Sequence, residues 1–244
     1  PVQDRELRVS IYRPAGAAKG VLFLSHGAGG SPERMRPLID RLLAQDFAIV
    51  APLHRDSMEY SAEERDDLQT AFGTRIADLQ ASSALAARTF PGLPYGSVGY
   101  SYGSLTALIG GGALEGMVNS RVPAVKAVAS FSSPGLIPGI VTDESLKSVA
   151  VPTLMITGTK DTVPGFIPEA SQHVSYFEYE PKGDRTLVIV NDATHDFVYG
   201  KEPGYDDAVA ILVDFLKAHV LNDMKAKAEL ESTQRDGLIS VKRR

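Results

Sequence analysis

Short apolar runs recur along the chain and alternate with longer segments of helical periodicity. Because these runs hold few charged positions and are too short for helices, we expect strands that are covered on both faces, as in a parallel sheet. Residues 6–13 alternate apolar and polar positions, which is typical of a half-exposed strand. The runs with the length of buried strands occupy residues 21–24, 47–52, 93–98, 125–131, 153–157 and 187–190.

Helical periodicity follows the first two runs. Ser31 is a candidate N-cap with Pro32 at the first helical position, which predicts a helix over residues 31–45. A longer helix is predicted from Ser61 to about residue 88, with Glu64 completing a capping box. Its expected inward stripe consists of Leu68, Phe72, Ile76, Leu79 and Ser83.

The remaining segments complete the predicted architecture. Residues 132–150 lack periodicity and predict a loop or small lid, residues 205–219 predict an amphipathic helix, and the charged tail 222–244 is expected to be peripheral. Strands that alternate with helices predict an α/β fold, with a mostly parallel central sheet and helices on both faces. No linker or repeat divides residues 1–244, so we expect a single domain.

Composition narrows the classes of partner. Hydrophobic residues make up 43% of the chain and charged residues 23%, a globular balance. The net charge of −5 argues against nucleic acid or an anionic membrane as the main partner. No apolar run reaches the ~18 residues of a membrane span, so a soluble protein is expected. The chain has no cysteine, which excludes a cysteine nucleophile and fits a cytoplasmic, secreted or periplasmic location; oligomeric state stays open.

The pentapeptide 99–103 reads G-x-S-x-G and lies between a predicted strand and a predicted helix. A serine on such a sharp turn has a strained backbone, and the positions two before and two after it tolerate only very small side chains. The turn would expose the Ser101 hydroxyl and place the Tyr102 N–H at a helix N-terminus, facing a developing anion. A chain with 22 glycines can contain this pattern by chance, so the motif alone leaves the hypothesis open.

Three other loops with chemically useful residues fall at the ends of predicted strands. They contain residues 26–30, Asp161 and His195, and ligands of such sheets bind beyond the carboxyl ends of the strands. Ser101 is a poor nucleophile unless a base removes its proton, and His195 is the candidate base. Asp161 would hold the imidazole in the correct tautomer. The intervals between the three residues leave room for adjacent strands to bring them together.

The order small-residue loop, Ser, Asp, His is that of the α/β-hydrolases. The chain resembles the branch of that superfamily that includes dienelactone hydrolases and platelet-activating-factor acetylhydrolases, and that neighbours the cutinase-type polyesterases. The resemblance covers roughly residues 6–219. It implies that the N–H groups of Ala28 and Tyr102 form an oxyanion hole and that no metal or organic cofactor is needed. Dienelactone hydrolases proper use a cysteine nucleophile, so their substrate is not implied. The motifs that carry the resemblance are ELRVSIYRPAG, SHGAGG, APLHRDS, GYSYG, GTKDTVP and ATHDF.

Other residues compete for these roles. His54 is the main rival base, but it precedes the serine in sequence, whereas His26 is expected to support its own loop. His173 and His219 are interpreted as helix-surface residues. Asp192 and Asp196 could replace Asp161, although residues so near His195 more often point away from it. Candidates for an apolar acyl site, with core or lid packing as the alternative, are Phe131, Leu136, Ile137 and Phe166.

These observations together predict a cofactor-independent serine esterase that acts on small-molecule carboxylic esters with a short or medium acyl group. Amide, peptide or polyester hydrolysis on the same three residues is the alternative within hydrolases. A non-catalytic small-molecule receptor on the same fold is the third hypothesis, because fold does not determine function.

Overall fold

A computed structural model describes residues 5–233 and 237–244. Its strands are β1 (Val9–Tyr12), β2 (Gly20–Ser25), β3 (Phe47–Pro52), β4 (Tyr95–Tyr100), β5 (Val125–Phe131), β6 (Thr153–Gly158), β7 (Arg185–Val190) and β8 (Ile239–Arg243). They form one eight-stranded sheet in the order β1-β3-β2-β4-β5-β6-β7-β8. The strands from β3 to β7 in this order are parallel, and β1 and β8 pair antiparallel at the two edges. The predicted fold class is confirmed.

Helices cover both faces of this sheet. They are α1 (Arg36–Leu43), α2 (Leu68–Thr89), α3 (Tyr102–Gly110), α4 (Asp143–Leu146), α5 (Ser175–Tyr179), α6 (Tyr205–Val220) and α7 (Met224–Ser232). Short 3₁₀ helices occupy Glu33–Met35, Ala170–Val174 and His195–Tyr199. Among the described residues, no helix combines the length and the apolar content that crossing a bilayer requires.

The continuous apolar strands are explained by two hydrophobic cores, one on each face. In β2, Leu22 and Leu24 pack with α1 and α6, while Val21 and Phe23 pack with α2 and α3 on the opposite face. Successive side chains of a strand point to opposite faces, so a strand that is covered twice must be apolar at every position. Because the strands from β3 to β7 in the sheet order run parallel, the carboxyl ends of β2, β4, β6 and β7 lie at the same edge of the sheet.

The first helix begins later than predicted. Ser31 is not its cap, because a 3₁₀ turn over Glu33–Met35 comes first and α1 starts only at Arg36. Pro37 lies in the first turn of α1. Proline lacks the N–H that an α-helix starting at residue 33 would need at this position, which accounts for the delay.

The long helix α2 begins at Leu68 rather than at Ser61. Its N-cap is Asp67, whose carboxylate accepts a hydrogen bond from the Thr70 N–H at 2.7 Å. Ser61 does contact Glu64, its N–H lying 3.4 Å from the Glu64 carboxylate, but the segment around them forms turns.

The predicted inward stripe of α2 is confirmed only in part. Leu79 is buried, and Phe72 and Ile76 are half-buried against the same core, whereas Leu68 is exposed and Ser83 is half-buried. Apolar periodicity missed the rest of this face because two charged residues with partners inside the protein lie on it. The buried residues of α2 are Ala71, Arg75, Asp78, Leu79, Ser82 and Ala86.

The segments predicted as lid and tail are packed against the fold. Within residues 132–150, Ile137 pairs with Val141 and Leu146 is fully buried in the core shared with α3. The tail is not peripheral, because α7 packs on α6 and β8 extends the sheet beside β7. Residues 234–236 of the tail lie outside the described residues.

Candidate active site

Ser101 lies between the last residue of β4 and the first residue of α3. Its backbone has φ 51° and ψ −122°, a region that residues other than glycine rarely adopt. The Ser101 N–H donates to the Phe131 carbonyl at 2.9 Å, and the Ser104 hydroxyl donates to the same oxygen at 2.9 Å. These bonds tie the strained turn to the end of β5 and hold it in place.

Two glycines around Ser101 allow a close approach of three chain segments. A Cβ on Gly99 would lie 2.2 Å from the Gly103 carbonyl oxygen. A Cβ on Gly103 would lie 2.0 Å from the Ser25 carbonyl oxygen at the end of β2. Both distances are well below van der Waals contact, so the turn as built requires glycine at both positions.

Ser101, His195 and Asp161 form one hydrogen-bonded chain. The Ser101 Oγ lies 3.1 Å from His195 Nε2, and His195 Nδ1 lies 2.8 Å from Asp161 Oδ1. Asp161 follows β6, and His195 opens the 3₁₀ helix that follows β7. The structure therefore brings together the three residues that the sequence selected. The ring of Tyr100 packs against the His195 ring with 5.1 Å between centroids and supports its orientation.

The Asp161 carboxylate is buried and fully engaged. Oδ2 accepts from the Thr157 hydroxyl at 2.8 Å, and Oδ1 lies 2.8 Å from His173 Nε2 as well as from His195. Ser132, a non-glycine residue with φ 51°, also donates to this carboxylate. Burial raises the pKa of Asp161, but the hydrogen bonds from His173, His195 and Ser132 outweigh it and hold the pKa well below its usual range.

The loop 26–30 lies directly beside the serine. A Cβ on Gly27 would be 3.2 Å from the Ser101 Cβ, and the loop is closed by a hydrogen bond from the Gly30 N–H to the Gly27 carbonyl at 3.0 Å. Ala28 is exposed within this loop. Tyr102 is the first residue of α3, where a helix has no acceptor of its own for the N–H. Both candidate oxyanion donors thus belong to segments adjoining Ser101.

Arg75, a buried residue of α2, supports the loop 26–30. Its guanidinium donates to the carbonyls of His26 at 2.8 Å and Gly27 at 3.2 Å, and it pairs with both carboxylate oxygens of Asp56 at 2.9 Å. Asp56 in turn accepts from the Gly29 N–H at 3.2 Å. Burial raises the pKa of Asp56, but the attraction and hydrogen bonds of Arg75 outweigh it and lower the pKa. Sequence analysis missed Arg75, since a charged residue in a helix is normally placed on its solvent face.

Replacing Arg75 by methionine is expected to lower the free energy of unfolding by about 3–5 kcal/mol, because the buried Asp56 carboxylate would lose its partner. Denaturant unfolding measures the loss. Adding Asp56→Asn should restore part of it, since no charge then remains unpaired. The exposed Arg41–Asp206 pair at 2.7 Å is the matched control, and Arg41→Met should cost under about 1 kcal/mol. Equal losses at the two arginines would contradict the structural role of Arg75.

The sequence comparisons find no match for this chain, whereas the comparison with solved structures does. No family model matches the sequence, and a search of curated proteins finds no match. Solved structures do match. A dienelactone hydrolase from Anabaena variabilis ATCC 29413 superposes with a TM-score of 0.65 at 22% identity, covering 90% of this chain and 95% of that one. This chain has the α/β-hydrolase fold.

A second solved structure superposes on this chain over a similar length. A cold-adapted esterase from an Arctic intertidal metagenomic library matches in its PEG-bound form with a TM-score of 0.68 and 16% identity, covering 90% of this chain and 91% of that one. Its native form gives 0.64 and 17%, with 90% coverage of both chains.

The α/β-hydrolase fold of this chain contains a second serine–histidine–aspartate chain, which sequence analysis missed. The Ser25 hydroxyl donates to His54 Nε2 at 2.8 Å, and His54 Nδ1 donates to Asp78 Oδ2 at 2.9 Å. Arg5 pairs with the other oxygen of Asp78. Burial lowers the pKa of His54 well below its ordinary value and raises that of Asp78. His54 is fully buried and bonded to Ser25, so it is not a base for Ser101.

The structure also shows the surroundings of the other histidines and acidic residues that competed for catalytic roles. His26 supports its own loop as predicted, since Nδ1 donates to the Gly27 carbonyl at 2.7 Å and Nε2 accepts from the His54 N–H at 3.0 Å. The interpretation of His173 and His219 as surface residues is wrong. The His173 side chain is fully buried, and that of His219 is 9% exposed. The carboxylate that accepts from His195 Nδ1 is that of Asp161, while Asp192 pairs with Lys160 at 2.9 Å.

The four candidate acyl-site residues are not gathered into one pocket. Phe131 is 1% exposed and belongs to the core, so it is a packing residue and its carbonyl supports Ser101. Ile137 is partly buried against the opposite core. Leu136 and Phe166 are 42% and 69% exposed. Phe166 lies in the turn that follows Asp161, and Leu136 in the segment that follows β5, so both remain candidates for the rim of a site.

Asp161, His173 and His195 also have the chemistry of metal ligands, and their donor atoms lie within 4.8 Å of one another. The facing atoms are joined by hydrogen bonds from ring nitrogens to one carboxylate oxygen. We therefore describe the group as a carboxylate with two imidazole donors.

Proposed function

We propose that this protein is a serine hydrolase that cleaves carboxylic esters through an acyl-enzyme, with Ser101, His195 and Asp161 in the catalytic roles. The observation that carries the proposal is the hydrogen-bonded chain of these residues, which begins at a serine on a strained strand-to-helix turn. Similarity in fold to a dienelactone hydrolase and an esterase supports ester bonds as the target.

The reaction follows from the positions of the protons. As the Ser101 oxygen attacks the ester carbonyl, its proton passes to His195 Nε2. Asp161 accepts the hydrogen bond from Nδ1 and stabilises the imidazolium that forms. The N–H groups of Tyr102 and Ala28 hold the oxyanion, each worth on the order of 3 kcal/mol. When the tetrahedral intermediate collapses, His195 gives the proton to the departing alkoxide and the acyl group stays on the serine.

The second half repeats these steps with water. Water attacks the acyl carbonyl while His195 takes its proton, and the imidazolium then returns a proton to the Ser101 oxygen as the carboxylic acid leaves. No metal or organic cofactor enters either half. We propose short or medium acyl groups, with Leu136 and Phe166 as candidate contacts at the rim.

A fluorophosphonate reagent tests the proposal, because it reacts only with a serine whose proton is removed in place. We expect one label per chain on the native protein, mapped by mass spectrometry to the peptide containing Ser101, and no label after unfolding. Hydrolysis of p-nitrophenyl butyrate should fall in proportion to labelling. The buried Ser25 is an internal control, since it has a similar bonding pattern but no access. Absence of label with no ester turnover would overturn the proposal and favour a non-catalytic receptor.

A further inference from the structure

His173 lies in the 3₁₀ helix Ala170–Val174 and is 1% exposed. The residue joins two segments that adjoin the candidate site, the loop that begins after β5 and the loop after β6 that contains Asp161. The Ser133 hydroxyl donates to the His173 carbonyl at 2.7 Å, which fixes the backbone of the 3₁₀ helix to the first of these loops.

Every atom that the His173 ring nitrogens face is an acceptor. Nδ1 contacts the Ser133 carbonyl oxygen. Nε2 lies 2.8 Å from Asp161 Oδ1 and 3.1 Å from the Asp161 carbonyl oxygen. A neutral imidazole has one N–H and one lone pair, so one of these contacts would place a lone pair against an oxygen. Only the imidazolium, with a proton on each nitrogen, satisfies both sides in a buried place where an unmade hydrogen bond is costly.

We infer that His173 is a positioning residue that holds a proton on both ring nitrogens and fixes the Asp161 carboxylate, and with it His195, in the geometry for proton transfer. The inference rests on the proposed hydrolase function of Ser101. His173 does not touch the reacting atoms. It acts through Asp161, whose Oδ1 it shares with His195.

The charges around the ring are consistent with this assignment. Burial lowers the pKa of His173, but its hydrogen bond and attraction to Asp161, with the backbone acceptors at Ser133 and Asp161, outweigh burial and raise the pKa above its ordinary value. Among the described residues, the titratable groups that contact the ring are Asp161, from the loop after β6, and His195, from the 3₁₀ helix after β7. Asp161 supplies the counter-charge.

The His173 ring also contacts the base directly. The two imidazole rings are stacked with 5.8 Å between centroids and 23° between planes. Both rings donate to the same Asp161 oxygen, each at 2.8 Å. By fixing that oxygen and packing on the His195 ring, His173 holds His195 Nδ1 toward Asp161 and Nε2 toward the Ser101 oxygen.

Nitrogen-15 NMR of histidine-labelled wild-type protein tests the protonation state without reference to activity. The resonances of His173 are identified by their loss in His173→Gln. We expect both ring nitrogens to show protonated shifts at neutral pH, with slow exchange of their hydrogens. A neutral tautomer, with one nitrogen at the unprotonated shift, would overturn the inference.

Steady-state kinetics tests the positioning role. In His173→Gln, whose amide can still donate to Asp161 but carries no charge, we expect a lower kcat with KM unchanged, because the variant disturbs the proton relay and not the contacts with substrate. Thr157→Val removes a neutral donor to the same carboxylate and should lower kcat by less. His219→Gln removes a histidine near Asp184, at the opposite end of the strands, and should change neither kcat nor KM.

Stability gives a further readout. A raised imidazole pKa adds to the unfolding free energy fully below the unfolded-state pKa and loses that contribution as pH rises through the folded-state value. The excess stability of the wild type over His173→Gln should therefore shrink as pH rises. A variant that lost stability equally at all pH values, with kcat unchanged, would show a purely structural role and overturn the inference. Failure of Ser101 labelling would instead overturn the proposed function, while the NMR result would still stand.

Discussion

Replacing Ser101 by alanine is expected to reduce kcat/KM for p-nitrophenyl butyrate by about 10⁶-fold while leaving the fold intact. The variant keeps the Cβ in the strained turn and loses only the oxygen that becomes covalently bonded to the acyl group. The donors of Tyr102 and Ala28 would remain, so a small rate above that in water should survive. Steady-state kinetics on protein free of wild-type carry-over measures this loss.

The Asp161→Asn variant should fall between the wild type and Ser101→Ala, with kcat reduced by about 10⁴-fold. An amide facing His195 Nδ1 can donate as well as accept, which permits the tautomer that leaves no lone pair for the serine proton. Asp192→Asn is the matched control, because Asp192 precedes His195 by three residues but is exposed and pairs with Lys160. Its activity should stay within about twofold of the wild type. Substantial activity in Ser101→Ala, or equal losses at the two aspartates, would contradict the assignment.

Alanine at Gly103 is expected to destabilise the protein by about 3 kcal/mol or more. The new Cβ would meet the Ser25 carbonyl oxygen at 2.0 Å and the His26 carbonyl oxygen at 2.7 Å. Both are backbone atoms at the end of a fully buried strand, so α3 must move away from β2. That movement would also separate Ser101 from the loop 26–30, and activity should fall beyond what the stability loss explains. Denaturant unfolding and kinetics on the folded fraction measure the two effects.

Gly73 provides the contrasting substitution. It lies within α2 and is exposed, and a Cβ there would have no heavy atom within 4 Å. Gly73→Ala should therefore stabilise the protein by about 0.5–1 kcal/mol through helix propensity. If Gly103→Ala were tolerated as well as Gly73→Ala, the tight packing of the serine turn on β2 would be incorrect.

The sequence was sufficient for the six inner strands, β2 to β7, because burial on both faces leaves an almost unbroken apolar pattern. Residues 47–52 and 125–131 coincide with β3 and β5. It also selected the serine chain, since the order of the loops along the chain and their positions after strands are both readable. The placement of Ser101, Asp161 and His195 at one edge of the sheet, after β4, β6 and β7, then follows from the parallel strands.

Periodicity failed where polar residues are buried. Arg75 and Asp78 face inward on α2 because Asp56, His54 and the carbonyls of the loop 26–30 lie there, and no apolar pattern encodes such partners. His173 was missed for the same reason, since its acceptors come from residues distant in sequence. β8 was missed because its charged residues suit an edge strand as well as a solvated tail.

The buried Ser25–His54–Asp78 chain changes how such proteins should be sorted by geometry. Its serine–histidine distance is 2.8 Å, against 3.1 Å for Ser101 and His195, so a search that ranks triads by atomic distance would choose the closed one first. Backbone strain and access separate the two, because Ser101 occupies a left-handed conformation whereas Ser25 lies within a regular strand. A template for hydrolase recognition should therefore score the torsion angles of the serine together with its distance to the imidazole.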